Sequence, residues 1–240
     1  MYQSKSFATS VIGYFPLLVC LLTMSLPSSV LATSVIPPVD GAPGGRSPGG
    51  SRDPDCLSQK SSIVALVPAS AVGGLTTKAS PTFFVYVPTT HARTAEFALR
   101  NENKKTIYKS IVKLSGKSEV IGIRLPATSV APKLEMGKRY RWFFSVVCDA
   151  NAPDKSGNPF VQGWIQRAQP SVSLSGQLSQ ASSRDRAQLY KQAGFWYEAV
   201  GTLAELRRSR PSDPALKADW SNLLRSVGLD QAAAEPIAQY

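Results

Sequence analysis

The sequence contains one histidine, three cysteines and 16 acidic residues against 27 Lys plus Arg. A single histidine excludes a multi-histidine zinc site, and three cysteines are too few for a zinc ribbon. Any Ser-His-Asp arrangement would have to use His91. The glutamates Glu96, Glu102, Glu119 and Glu135 are scattered over separate segments, so no carboxylate pair for glycoside hydrolysis can be argued. Beyond residue 26 no run is apolar and long enough to span a bilayer. The loop Asp149-x-Asn151-x-x-Asp154-x-x-x-Asn158 lacks the spacing and the glycine of a calcium loop. Neither a cofactor nor catalysis is expected from this inventory.

Hydrophobic residues make up 43% of the 240, enough for a sizeable core, and the formal net charge is +11. Residues 1–32 have the layout of a secretory signal. Lys5 precedes an apolar stretch from Val11 to Leu26, broken by Gly13 and Pro16, and Val30-Leu31-Ala32 offers a cleavage site. The proline and short length count against an uncleaved anchor, and no small residue precedes Cys20 as lipidation would require. The expected destination is the periplasm or cell surface.

Residues 33–56 hold five prolines and five glycines and read as a flexible arm. Gly44 to Arg52 is glycine-rich but lacks the Gly-Lys-Ser/Thr ending of a phosphate loop. Residues 57–170 alternate between short β-prone runs and turn signals, about seven strands in all, the count of an antiparallel two-sheet sandwich. The clearest strand is Arg139–Cys148, with Tyr140, Trp142, Phe144, Val146 and Cys148 on one face. Thr106–Leu114 has lysines at helical spacing, but its β-branched residues favour a strand. Leu134-x-x-Gly137-x-x-Tyr140-x-Trp142 resembles the tyrosine corner of immunoglobulin-like domains.

Residues 171–182, rich in Ser and Gln, read as a linker. Residues 183–240 turn helical: Asp185–Ala193, Tyr197–Arg208, and a third helix with Asp213 as N-cap, Pro214 in its first turn and Gly228 as its stop. The first two resemble one tetratricopeptide unit at Ala187, Tyr190, Ala193, Gly194, Trp196, Ala199, Val200, Leu203 and Pro211. The expected fold is therefore α+β, an immunoglobulin-like antiparallel β-sandwich followed by a short tetratricopeptide-like α-helical hairpin. A single α+β domain with helices covering one sheet stays open.

After cleavage Cys56 and Cys148 remain, and an even pair in an exported chain reads as a disulfide. The alternative, a cysteine nucleophile served by His91, has no local signature. The positive surplus is concentrated in residues 81–170, where 14 bases face 6 acids. Lys104, Lys105, Lys109, Lys113, Arg139 and Arg141 are the candidate anion-binding residues, with Lys117 and Lys138 in the same runs. Acidic polysaccharide, anionic lipid or an acidic protein face would suit them, and export argues against nucleic acid. On the helices, Trp196, Tyr197 and Tyr190 are candidates for contacting a protein partner.

Several landmarks follow one another along the chain: Gly49-Gly50-Ser51-Arg52, Cys56, Ala65-Leu66-Val67-Pro68, Ser80 to Pro88, Gly137-x-x-Tyr140-x-Trp142 with Cys148, Gly163-Trp164-Ile165-x-Arg167, Ala193-Gly194-x-Trp196-Tyr197-Glu198-Ala199 and Leu223 to Leu229. Together they resemble a cyanobacterial exported family, domain of unknown function 928. The resemblance implies a cyanobacterial periplasmic or surface setting and brings no catalytic residues. Two functions fit. The first is a non-catalytic envelope adaptor that binds a protein through the helices. The second is a binder of anionic envelope polysaccharide or lipid through the basic β region.

Overall fold

The structure, a computed structural model, describes residues 56–57, 62–69, 73–127, 131–152 and 157–238. The expected signal and nearly all of the arm lie outside them, as does Asp154. Among the described residues the strands are β1 (Val64–Ala65), β2 (Gly74–Thr76), β3 (Thr82–Val87), β4 (Thr94–Arg100), β5 (Thr106–Lys113), β6 (Glu119–Arg124), β7 (Arg139–Val147) and β8 (Phe160–Arg167). They form a three-stranded sheet in the order β1-β3-β6 and a five-stranded sheet in the order β2-β8-β7-β4-β5. The pairing is antiparallel except for β2, which runs parallel to β8. The expectation of a wholly antiparallel sandwich is corrected at that edge. β2 escaped the sequence reading because three residues are too few to show alternation.

The two sheets share one core. Tyr140, Trp142, Phe144 and Val146 of β7 point into it beside Ala95, Phe97 and Leu99 of β4, and Phe83, Val85 and Val87 of β3 enter from the other sheet. The Phe83 ring lies 4.9 Å from Phe97 and 5.5 Å from Trp142, centroid to centroid. Tyr140 also accepts a hydrogen bond from the Glu135 amide at 3.1 Å, pinning the β7 entry turn.

Gly163 makes room for the central indole. A Cβ on it would stand 2.6 Å from the Trp142 ring, which is itself fully buried. Gly163→Ala should therefore cost about 1–3 kcal/mol through overpacking. A thermal melt checks this, and an unchanged midpoint would mean that the indole can shift without strain.

The helices are α1 (Val172–Gln180), α2 (Ser183–Gln192), α3 (Trp196–Ser209), α4 (Pro214–Arg225) and α5 (Asp230–Ala233). The segment expected as a linker is mostly α1. Of its apolar residues Val172, Leu174 and Leu178 only Leu174 is buried, so no apolar stripe marked it, but Ser171 caps it by accepting from the Leu174 amide. Asp213 caps α4 as expected, accepting from the Ala215 and Leu216 amides, and Gly228 adopts a left-handed φ of 71° after it.

Val64, Leu66, Phe84, Tyr86 and Val120 form the other face of the three-stranded sheet. They pack with Trp196, Val200, Leu203, Trp220, Leu223 and Leu224 in a second core. Beyond them, residues 236–238 extend the sheet. The Val120 amide donates to the Pro236 carbonyl at 2.8 Å, and the Ala238 amide donates to the Val120 carbonyl at 2.9 Å. Strands and helices belong to one compact unit. Of the two arrangements left open by the sequence, the helices cover a sheet. The unbroken apolar run of β3 now has its reason, since the strand is buried on both faces.

Candidate anion-binding face

Cys56 and Cys148 are joined by a disulfide, Cα to Cα 5.3 Å. Thr90 Oγ1 and the His91 amide both donate to the Cys56 carbonyl, at 2.6 and 3.1 Å. The bond thus anchors the start of the described chain to the end of β7 and to the loop around His91. Neither sulfur is left as a thiol for His91 to activate.

The candidate partner-binding aromatics are placed differently from expectation. Trp196 and Tyr197 are each only 4% exposed. Trp196 Nε1 donates to the Leu66 carbonyl at 2.7 Å. Tyr197 accepts from Trp142 Nε1 at 2.8 Å and donates to the Trp164 carbonyl at 2.9 Å. Burial, partly offset by the Trp142 bond, pushes its phenol far up, so it stays protonated. Both side chains fasten α3 to the sheets and are unavailable to a partner. Helical periodicity identified an apolar face but could not say what covers it. Tyr190 is half-buried, its ring 6.3 Å from Phe195.

Between the two aromatics and Ala199, in the same landmark run, lies a residue to which the sequence assigned no role. Glu198 is 3% exposed. Its Oε1 accepts from Thr76 Oγ1, the Thr77 amide and Thr77 Oγ1 at 2.7, 2.8 and 3.0 Å. This carboxylate ties the first turn of α3 to the end of β2. No composition or spacing signal marks it, because a glutamate in an amphipathic helix ordinarily faces water.

The outward face of the five-stranded sheet carries the basic residues. β7 contributes Arg139, Arg141 and Phe143, and β8 contributes Trp164. β4 adds Arg100, and β5 adds Lys109, Ile111 and Lys113. The register sets Arg141 directly between Trp164 and Arg100, and Ala98 between Phe143 and Lys109. The Arg100 guanidinium sits 4.6 Å from the centre of the Phe143 ring and that of Arg141 5.3 Å. Arg139 and Arg141 each lie 5.4 Å from Trp164. Desolvation and then the neighbouring Arg100 lower the proton affinity of Arg141. Glu96 shares this face and is partnered.

Lys104 and Lys105 project from the β4–β5 hairpin at the Arg139 end of the sheet. There Glu102 accepts from the Arg139 amide at 3.2 Å and meets Lys138 Nζ at 3.7 Å. Asn101, Asn103, Glu135 and Tyr140 complete a cleft of about 240 Å³ around these groups. The structure therefore brings together Arg139, Arg141 and Lys109, with Lys104 and Lys105 at one end and Lys113 further along β5. Arg100, Phe143 and Trp164 were missed as members. Phe143, which with Val147 interrupts the polar face of β7, was the available signal. Among the described residues no cluster of His, Cys, Asp or Glu could hold a metal ion, and no helix is long and apolar enough to cross a membrane.

The fold and this face define a mixed α+β protein with two sheets, a helical layer and a basic, aromatic-lined sheet surface. The chain belongs to the family described as Domain of Unknown Function (DUF928), whose model matches residues 47–237. No curated protein matches the chain.

Proposed function

We propose that this protein is an exported, non-catalytic binding module that holds an anionic polymer or surface of a cyanobacterial cell envelope against the outer face of its five-stranded sheet. The observation that carries the reading is the concentration of Arg100, Arg139, Arg141, Lys109 and Lys113 on one face, with Lys104 and Lys105 at its end. The disulfide supports passage through an oxidising compartment, and residues 1–32 supply the export signal. The Tyr140 bond to the Glu135 amide supports an immunoglobulin-like sandwich. The α2–α3 pair, turning through Gly194 at φ 78°, supports a tetratricopeptide-like hairpin. The protein-adaptor alternative loses Trp196 and Tyr197, its principal contact residues, to the interior.

The test is retention on immobilised dextran sulfate and polygalacturonate, with neutral dextran as control. Exposed charges are screened within about 8 Å at physiological salt, so retention should fall steeply as salt rises. The combined Lys104→Glu, Lys105→Glu and Lys109→Glu variant should elute at clearly lower salt. Equal retention of the variant and the native protein would overturn the reading.

A further inference from the structure

Arg100 and Arg141 stand directly opposite one another on neighbouring strands. Like charges in that position repel. Glu102 meets the Arg139 backbone amide and Lys138 Nζ, and Glu96 on the same face is partnered. Nε of Arg141, and Nε and Nη2 of Arg139, are buried without a hydrogen-bond partner among those residues. Stacking on Phe143 and Trp164 holds the guanidinium groups in place over the sheet. A planar guanidinium fixed in this way offers two parallel N–H groups to one oxyanion, which a lysine ammonium cannot do. The three cations are thus held close together on one face by the stacking.

We propose that this face binds an acidic polysaccharide, with Arg100 and Arg141 each taking a carboxylate or sulfate group of the polymer as a two-pronged hydrogen-bonded pair and Arg139, whose Nε and Nη2 are buried, adding its charge. The inference rests on the polyanion-binding reading above and names its ligand. A polymer is favoured over a bilayer because a surface that beds into a membrane adds buried apolar area to its charge. The exposed large apolar side chains of the described residues are Ile111, Met136 and Val172, and only Ile111 lies on this face. A sheet face with charges spread over neighbouring strands suits a chain carrying repeated acidic groups. Where the face ends at Arg139, the cleft supplies Asn101, Asn103 and Glu135, side chains that pair with hydroxyl groups.

The experiment measures the binding of the mature protein to polygalacturonate, to dextran sulfate and to vesicles of equal parts phosphatidylglycerol and phosphatidylcholine. Native protein is compared with the combined Arg100→Lys, Arg139→Lys and Arg141→Lys variant, which keeps the net charge. The expected result is binding to at least one polysaccharide and a loss on the order of tenfold in the variant, with its unfolding midpoint retained. Trp164→Leu should weaken binding in the same direction by releasing two of the stacked groups. If the lysine variant binds as well as native protein while the Lys104, Lys105 and Lys109 reversal abolishes binding, the paired-hydrogen-bond inference fails and the polyanion reading stands. Binding to the vesicles alone also overturns the polysaccharide and leaves the broader reading intact. Binding to none of the three overturns both.

Discussion

Reducing the Cys56–Cys148 bond is expected to remove about 4–5 kcal/mol of stability. The two cysteines are 92 positions apart, so the bond withholds much of the conformational freedom of the unfolded chain. A domain of this kind is stabilised by only about 5–15 kcal/mol in total. The loss would lower the melting midpoint by roughly 10–20 °C for a chain of this size. Urea unfolding with and without reductant, and of a Cys56→Ala, Cys148→Ala double variant, measures it. Superimposable curves would show that the bond contributes nothing beyond the contacts already joining Cys56 to Thr90 and His91.

The second large effect is expected at Glu198. Glu198→Ala removes the shared acceptor of Thr76 Oγ1, the Thr77 amide and Thr77 Oγ1. An unsatisfied buried donor costs about 1–3 kcal/mol, and the threonine hydroxyls can partly turn elsewhere, so a total of about 3 kcal/mol is expected. Glu198→Gln keeps an oxygen at the same place and should cost about 1 kcal/mol. The ordering of the two variants in denaturant unfolding is the readout, together with faster amide exchange at Thr77 in Glu198→Ala. If the alanine protein is as stable as the glutamine protein, the carboxylate does not hold β2 to α3.

Strand existence was largely legible, because alternation survives wherever one sheet face meets a core. Arg139–Val147 shows it, whereas Thr106–Lys113 was legible through its β-branched residues despite lysines at helical spacing. Helix α4 was legible through Asp213, Pro214 and Gly228, whose conformational demands are local. What could not be read was the assignment of covers to faces. Phe83 and Phe84 look alike in sequence, yet one meets Trp142 and the other meets the helices. For the same reason Trp196 and Tyr197 looked available. The anion-binding face was half legible. Its arginines and lysines stand out by charge, but Arg100 joins Arg141 only through a register set by the fold. Trp164 meets the arginines through the same register.

The doubly covered strand β3 has a consequence for how the chain is made. Thr82-Phe83-Phe84-Val85-Tyr86-Val87 is an uncharged six-residue segment of high β propensity, the composition that stacks into fibrils when left open. Both of its covers are built from later parts of the chain, β7 on one side and α3 and α4 on the other. A nascent polypeptide therefore exposes this ribbon until α3 and α4 have emerged. Pro81 and Pro88 stand immediately at its two ends, where they interrupt edge-to-edge pairing with another copy. The two prolines guard the segment during the interval in which the folded protein cannot.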